Sequence, residues 1–136
     1  MKKILLFLLT FVFSVSFGNS TTEPHLDIYY FHATHRCPTC LKIEANARKA
    51  IETYFSEEVL NKSIIIHILN FEEPENATLF NKFELYSSSL VLNAIDNNGK
   101  ETVMNMTDFA FTNAYEEDKF IQGLKSAIDK QLSVIK

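Results

Sequence analysis

The apolar positions of this chain fall into blocks of two different periods. Leu26-Asp27-Ile28-Tyr29-Tyr30-Phe31 is a β-branched and aromatic run that predicts a buried strand over about 26–33. A short polar loop, His32 to Arg36, leads out of it. From Pro38 the spacing changes to that of a helix reaching about Phe55, with Cys40, Ile43, Ala47, Ala50, Ile51 and Tyr54 on the inner face. Lys42, Glu44, Asn46, Arg48, Lys49 and Glu52 form its wet face. Ser56 to Lys62 turns polar, a surface connection, and Ser63 to Leu69 is almost continuously apolar, as a strand covered on both faces should be. These two strands flanking one helix should pair in parallel with a right-handed crossover. A second helix follows from Pro74 to Tyr86, with Leu79, Phe80, Phe83 and Tyr86 turned inward, and Ser87-Ser88-Ser89 ends it. Leu90 to Ile95 and Glu101 to Met106 read as a hairpin around Asp96-Asn97-Asn98-Gly99. Thr107 to Tyr115 is an aromatic loop, and Glu116 to Val134 a last helix resting on Phe120, Ile121, Leu124, Ala127, Ile128 and Leu132. The order β-α-β-α-β-β-α predicts an α/β fold with a central four-stranded mixed sheet flanked by helices.

Composition adds three constraints. A chain of 136 residues with 46% hydrophobic residues, twelve Phe and only three Gly builds one domain with a proper core. Residues 1–20 carry Lys2 and Lys3, an apolar run from Ile4 to Phe17 and small residues at Ser16, Gly18 and Ser20, the layout of a secretory signal peptide. The apolar run is shorter than the roughly 20 residues that a membrane span needs, so an uncleaved anchor is the lesser reading. The folded domain is therefore expected over residues 21–136, exported to a periplasmic or extracellular setting. Outside the leader 11 basic residues face 17 acidic ones, a net charge of −6 that attracts neither nucleic acid nor an anionic membrane.

The chemistry concentrates in His35-Arg36-Cys37-Pro38-Thr39-Cys40, which holds both cysteines of the chain. An oxidising compartment lets such a pair close as a disulfide. A purely structural staple is a weak alternative, because so short a loop barely constrains the unfolded chain. Only a thiolate attacks a disulfide, and a helix start favours one through its unpaired N–H groups and its dipole. Cys37, expected at that start beside His35 and Arg36, is the candidate nucleophile. Cys40, one turn on and facing inward, is the resolving thiol, while Pro38 and Thr39 between them adjust redox poise. A lone Cys-x-x-Cys also resembles half of a zinc site, and its place after the first strand, opening the first helix, favours the redox reading.

On these residues the chain resembles the thioredoxin-like superfamily over nearly all of its expected exported part. More narrowly, Tyr29-Tyr30-Phe31-His32-Ala33-Thr34-His35-Arg36-Cys37-Pro38-Thr39-Cys40 and Leu85-Tyr86-Ser87-Ser88-Ser89-Leu90-Val91-Leu92 look like segments of the bacterial nitrophenyl-compound nitroreductase subunit (ArsF-like) family of small exported proteins. That family name implies an association with nitroaromatic reduction, yet the sequence holds no flavin or nicotinamide motif, so no cofactor is expected. Two departures from the superfamily pattern stand out. Ser88 falls where the superfamily places a cis-proline, next to the sulfurs, and Phe31 falls where it places a buried acid. His32, with an ordinary pKa near neutrality, is the candidate for the missing proton role, against a reading as a packed strand-end residue. His25 and His67 read as a tail residue and a strand-face residue. Phe109, Phe111 and Tyr115 read as packed back on the core rather than as a lip for a partner. The expected function is disulfide exchange or electron transfer with protein thiols or a redox partner, by a monomer. A dithiol that binds a soft metal or an arsenical, and a non-catalytic subunit of a redox complex, are the rival readings.

Overall fold

The computed structural model describes residues 22–135. Strand β1 (His25–His32) lies inside a four-stranded sheet of order β2-β1-β3-β4, with β2 (Ile64–Asn70), β3 (Ser89–Ile95) and β4 (Glu101–Asn105). β1 pairs in parallel with β2 and antiparallel with β3, and β3 with β4 makes the antiparallel hairpin. Alternation along β1 sends Leu26, Ile28 and Tyr30 into one core and Tyr29 and Phe31 into another. Helices α1 (Pro38–Tyr54) and α5 (Glu117–Val134) cover the first face, while α3 (Ala77–Lys82) brings Leu79 and Phe80 to the second. The four-stranded mixed sheet flanked by helices is thus present.

Several expectations are corrected. The apolar run Ile64 to Leu69 forms an edge strand in which only Ile64 is fully buried. A continuous apolar run does not distinguish an edge from a centre, and it is β1 that receives hydrogen bonds from both sides. The polar connection after the first helix contains α2 (Ser56–Leu60), whose first turn holds Glu57 and Glu58 against the positive end of the dipole. The aromatic segment contains α4 (Thr107–Asn113), stapled by Ala110 in the core and by Asn113 donating to the Phe109 carbonyl. The second helix is shorter than predicted: a 3-10 turn at Pro74–Asn76 precedes it, and it ends at Lys82, with Glu84 in the left-handed region at φ 53°. Tyr86, expected inside, therefore lies beyond the helix and is 94% exposed. Asn46, expected on the wet face, is buried and donates to the Ala114 carbonyl at 2.9 Å, tying α1 to the end of α4. Tyr54 turns out to be exposed and accepts from Gln122 on α5.

His67 is a strand-face residue of β2, as expected, whereas His25 is not a tail residue but the first residue of β1. His67 Nε2 meets Asp27 Oδ1 at 2.8 Å, and the Tyr29 hydroxyl donates to Asp27 Oδ2 at 3.1 Å. His25 stands 3.5 Å from the same carboxylate. Burial pushes the Asp27 carboxyl up, but the hydrogen bond and charge of His67, the Tyr29 hydrogen bond and the charge of His25 outweigh it and leave its pKa below the ordinary value.

Gly123 on α5 faces the Phe109 ring, and a Cβ there would lie 2.3 Å from Phe109 Cζ. That ring is packed against Phe120, 5.7 Å between centroids, so it has little room to yield. Overpacking of this kind costs roughly 1–3 kcal/mol, against about 1 kcal/mol gained in helix propensity. Gly123→Ala is expected to be less stable by up to about 2 kcal/mol in urea unfolding, and a variant more stable than the parent would show that Phe109 is free to move.

Among the described residues no helix is long and apolar enough to cross a membrane. The expected signal segment, residues 1–20, lies outside the described residues.

Candidate active site

β1 ends at His32, and the loop after it is anchored to the end of β2. The Thr34 amide donates to Glu72 Oε2 at 2.8 Å, and Asn70 Nδ2 donates to Thr34 Oγ1 at 2.9 Å. The chain then turns into α1 with Cys37 as the N-cap, in extended backbone geometry, and Pro38 in the first turn, where its missing N–H has no helical partner to lose. The Cys40 amide donates to the Cys37 sulfur at 3.2 Å, and the Leu41 amide donates to the Cys37 carbonyl at 3.1 Å. No acidic residue lies in this first turn to oppose a negative charge. Cys37 is exposed and Cys40 is buried, both as free thiols.

The Cys37 thiol is held below its ordinary pKa, first by the Cys40 side chain and then by the Cys40 and Thr39 amides donating to its sulfur. Arg36 contributes differently from the expectation. Its guanidinium pairs with Glu44 on α1, which also accepts from Arg48 Nε at 2.9 Å, so its charge is spent along the helix rather than on the sulfur. Burial pushes the Glu44 carboxyl up, yet its two arginines win and hold it below the usual carboxylate range.

The other expected site residues divide. Ser88, in the turn before β3, is 9% exposed with its Oγ 4.0 Å from Cys40 Sγ, so it does face the buried thiol. Thr39 Oγ1 lies 3.1 Å from the Tyr115 hydroxyl, which brings the end of the aromatic segment onto the dithiol turn. Phe109 packs against the core, whereas Tyr115 stays 68% exposed, so the aromatic segment is split between the two readings. His35 and Pro38 are exposed beside Cys37. His32 is half-buried at the end of β1, with Nδ1 2.9 Å from the Ala33 carbonyl. A hydrogen bond donated there puts the proton on Nδ1 and the lone pair on Nε2.

Tyr30 is the residue that sequence reasoning missed. Phe31, at the expected acid position, turns into the second core, away from α1, and its neighbour Tyr30 reaches the dithiol turn instead. The Tyr30 ring is fully buried and its hydroxyl donates to the Cys40 carbonyl at 2.8 Å. The signal was available: a tyrosine in a buried apolar run must find a partner for its hydroxyl, and the strand alternation puts Tyr30 on the face that α1 covers. Burial, followed by the neighbouring Cys40, pushes its phenol well above the ordinary value, so it remains a donor.

Fold and site together define a mixed α/β domain whose Cys-x-x-Cys pair opens the helix that follows the first strand of the sheet, with Cys37 as its cap. No protein-family model matches the chain, and no curated protein matches it. Among solved structures it is similar to one described as "Structure of a malarial protein", with 15% identity over 68% of this chain and 96% of the other and a TM-score of 0.39. Among the described residues no group of three or more His, Cys, Asp or Glu side chains is arranged to hold a metal ion.

Proposed function

We propose that the chain is an exported thiol-disulfide oxidoreductase with a thioredoxin-like fold, acting through Cys37 and Cys40. The observation that carries this reading is the Cys37 sulfur at the N-cap of α1, exposed, accepting from the Cys40 amide, with a buried second thiol one turn away. The parallel β1–α1–β2 unit followed by the β3–β4 hairpin supports the finer fold.

The Cys37 thiolate attacks one sulfur of a substrate disulfide. The S–S bond breaks, the departing thiolate takes a proton, and a mixed disulfide remains on Cys37. Cys40 then loses its proton and attacks the Cys37 sulfur, releasing the second substrate thiol. In sum the substrate disulfide gains two electrons and two protons, and the protein dithiol becomes a disulfide. The reverse sequence oxidises a substrate dithiol, and the potential of the pair relative to its partner decides the direction. His32, at the end of the strand that feeds the dithiol loop, is the group proposed to accept the proton. The resemblance to the nitrophenyl-compound nitroreductase subunit family points to a redox protein as partner.

The test is exchange with oxidised glutathione, followed by mass spectrometry. The reduced chain is expected to lose two hydrogens, forming a Cys37–Cys40 disulfide with a defined equilibrium against the glutathione couple. A dithiol that stays reduced across the whole range of glutathione ratios would end the proposal.

A further inference from the structure

Burial of an aromatic ring in β1 explains why Tyr30 is apolar in most of its surface but not why it carries a hydroxyl. Among the described residues the hydroxyl has one partner, the carbonyl oxygen of Cys40. That carbonyl belongs to the peptide unit whose other end, the Leu41 N–H, donates to the Cys37 carbonyl. The unit that closes the first turn of α1 is therefore gripped at both ends, by the sheet through Tyr30 and by the cap residue itself. The adjoining unit supplies the Cys40 N–H that meets the Cys37 sulfur at 3.2 Å. A shift of the Cys40 backbone moves both the amide that stabilises the thiolate and the Cys40 sulfur opposite Ser88.

We infer that Tyr30 is a positioning residue for the dithiol: from the sheet, its hydroxyl holds the Cys40 main chain where the Cys40 amide stabilises the Cys37 thiolate. The inference rests on the redox reading of Cys37 and Cys40. It assigns to Tyr30 control of the thiolate without contact with substrate. Hydrogen bonds that are linked through one peptide unit also polarise one another, so loss of the phenol weakens the Leu41 N–H bond to the Cys37 carbonyl as well as the placement of the Cys40 main chain. Tyr30 stays protonated, so its part is to orient and not to carry the exchanged proton.

The experiment compares the full chain with Tyr30→Phe, which keeps the ring and removes only the hydroxyl. The pH dependence of iodoacetamide alkylation reports the Cys37 pKa, and equilibration with glutathione reports the potential. Tyr30→Phe is expected to raise the Cys37 pKa by about half a unit, giving about threefold less thiolate and about threefold slower alkylation at pH values below it. A lowered Cys37 pKa in the parent chain that is identical in Tyr30→Phe overturns this inference and leaves the redox reading standing. An ordinary thiol pKa in the parent chain overturns the inference as well, whereas the redox reading falls only if the pair stays reduced in the glutathione equilibration. A purely structural tyrosine would lower the melting temperature and move neither the pKa nor the potential. Should Tyr30→Phe fail to fold, the Tyr30 hydroxyl proton of the parent chain decides by NMR: a slowly exchanging resonance that shifts between dithiol and disulfide forms supports the role, and one that is absent or unmoved overturns it.

Discussion

Cys37→Ser will abolish exchange with oxidised glutathione, by at least about a thousandfold, as expected when a nucleophile is removed. The reason is ionisation: a serine hydroxyl stays protonated at the N-cap, whereas the Cys37 thiol is already biased to the thiolate by Cys40 and its amide. The substitution also separates chemistry from folding. Serine is a preferred N-cap whose oxygen accepts the same Cys40 N–H, so α1 keeps its first turn and the melting temperature should hold or rise. In the parent chain alkylation should show a fast phase at the exposed Cys37. That phase persists with falling pH down to the lowered Cys37 pKa and declines below it, because only the thiolate reacts. In Cys37→Ser this phase should vanish, leaving slow reaction of the buried Cys40. Equal exchange rates for parent and variant would remove Cys37 from the mechanism.

Cys40→Ser will have the opposite signature, a trapped intermediate. Cys37 still attacks, but nothing within the chain releases the mixed disulfide, so an adduct of Cys37 with the substrate thiol accumulates. A tethered, well-oriented thiol acts at an effective concentration far above that of any thiol in solution. The lifetime of the adduct at micromolar external thiol should therefore lengthen by at least about a hundredfold, read as adduct mass over time. The fold should tolerate the change, because the Tyr30 bond reaches the Cys40 carbonyl rather than its side chain, and Ser88 Oγ stands opposite the substituted atom. An adduct released as fast as in the parent would show that Cys40 does not resolve it. With substrate polypeptides the same variant is a means of capturing partners covalently.

Much of the site was legible because it is local. A helix cap, a proline in the first turn and a second thiol one turn on are set within four residues, and the cap geometry of Cys37 follows the spacing directly. The facing of Ser88 towards Cys40 was reached only by resemblance, since 48 positions separate the two residues. Arg36 shows the limit of adjacency. It precedes Cys37 in the chain, yet its fork-shaped cation finds better geometry on the Glu44 carboxylate, eight residues on. The same limit hid Asn46, a polar residue read as wet because its burial is justified only by a carbonyl 68 positions away. Tyr86 failed for a local reason, the left-handed turn at Glu84 that ends α3 early.

What the sequence by itself determined is the set of strands and long helices, through the two periods of its apolar residues, and the placement of a dithiol at a strand-to-helix junction. Short-range sterics and backbone hydrogen bonding suffice for both. Only the tertiary structure decided that β1 rather than β2 is interior, that Tyr30 and not Phe31 addresses the dithiol turn, and that Tyr115 closes over Thr39. Each of these depends on which distant segments pair. A buried hydroxyl, amide or charge takes its partner from whatever the assembled core brings within hydrogen-bond reach.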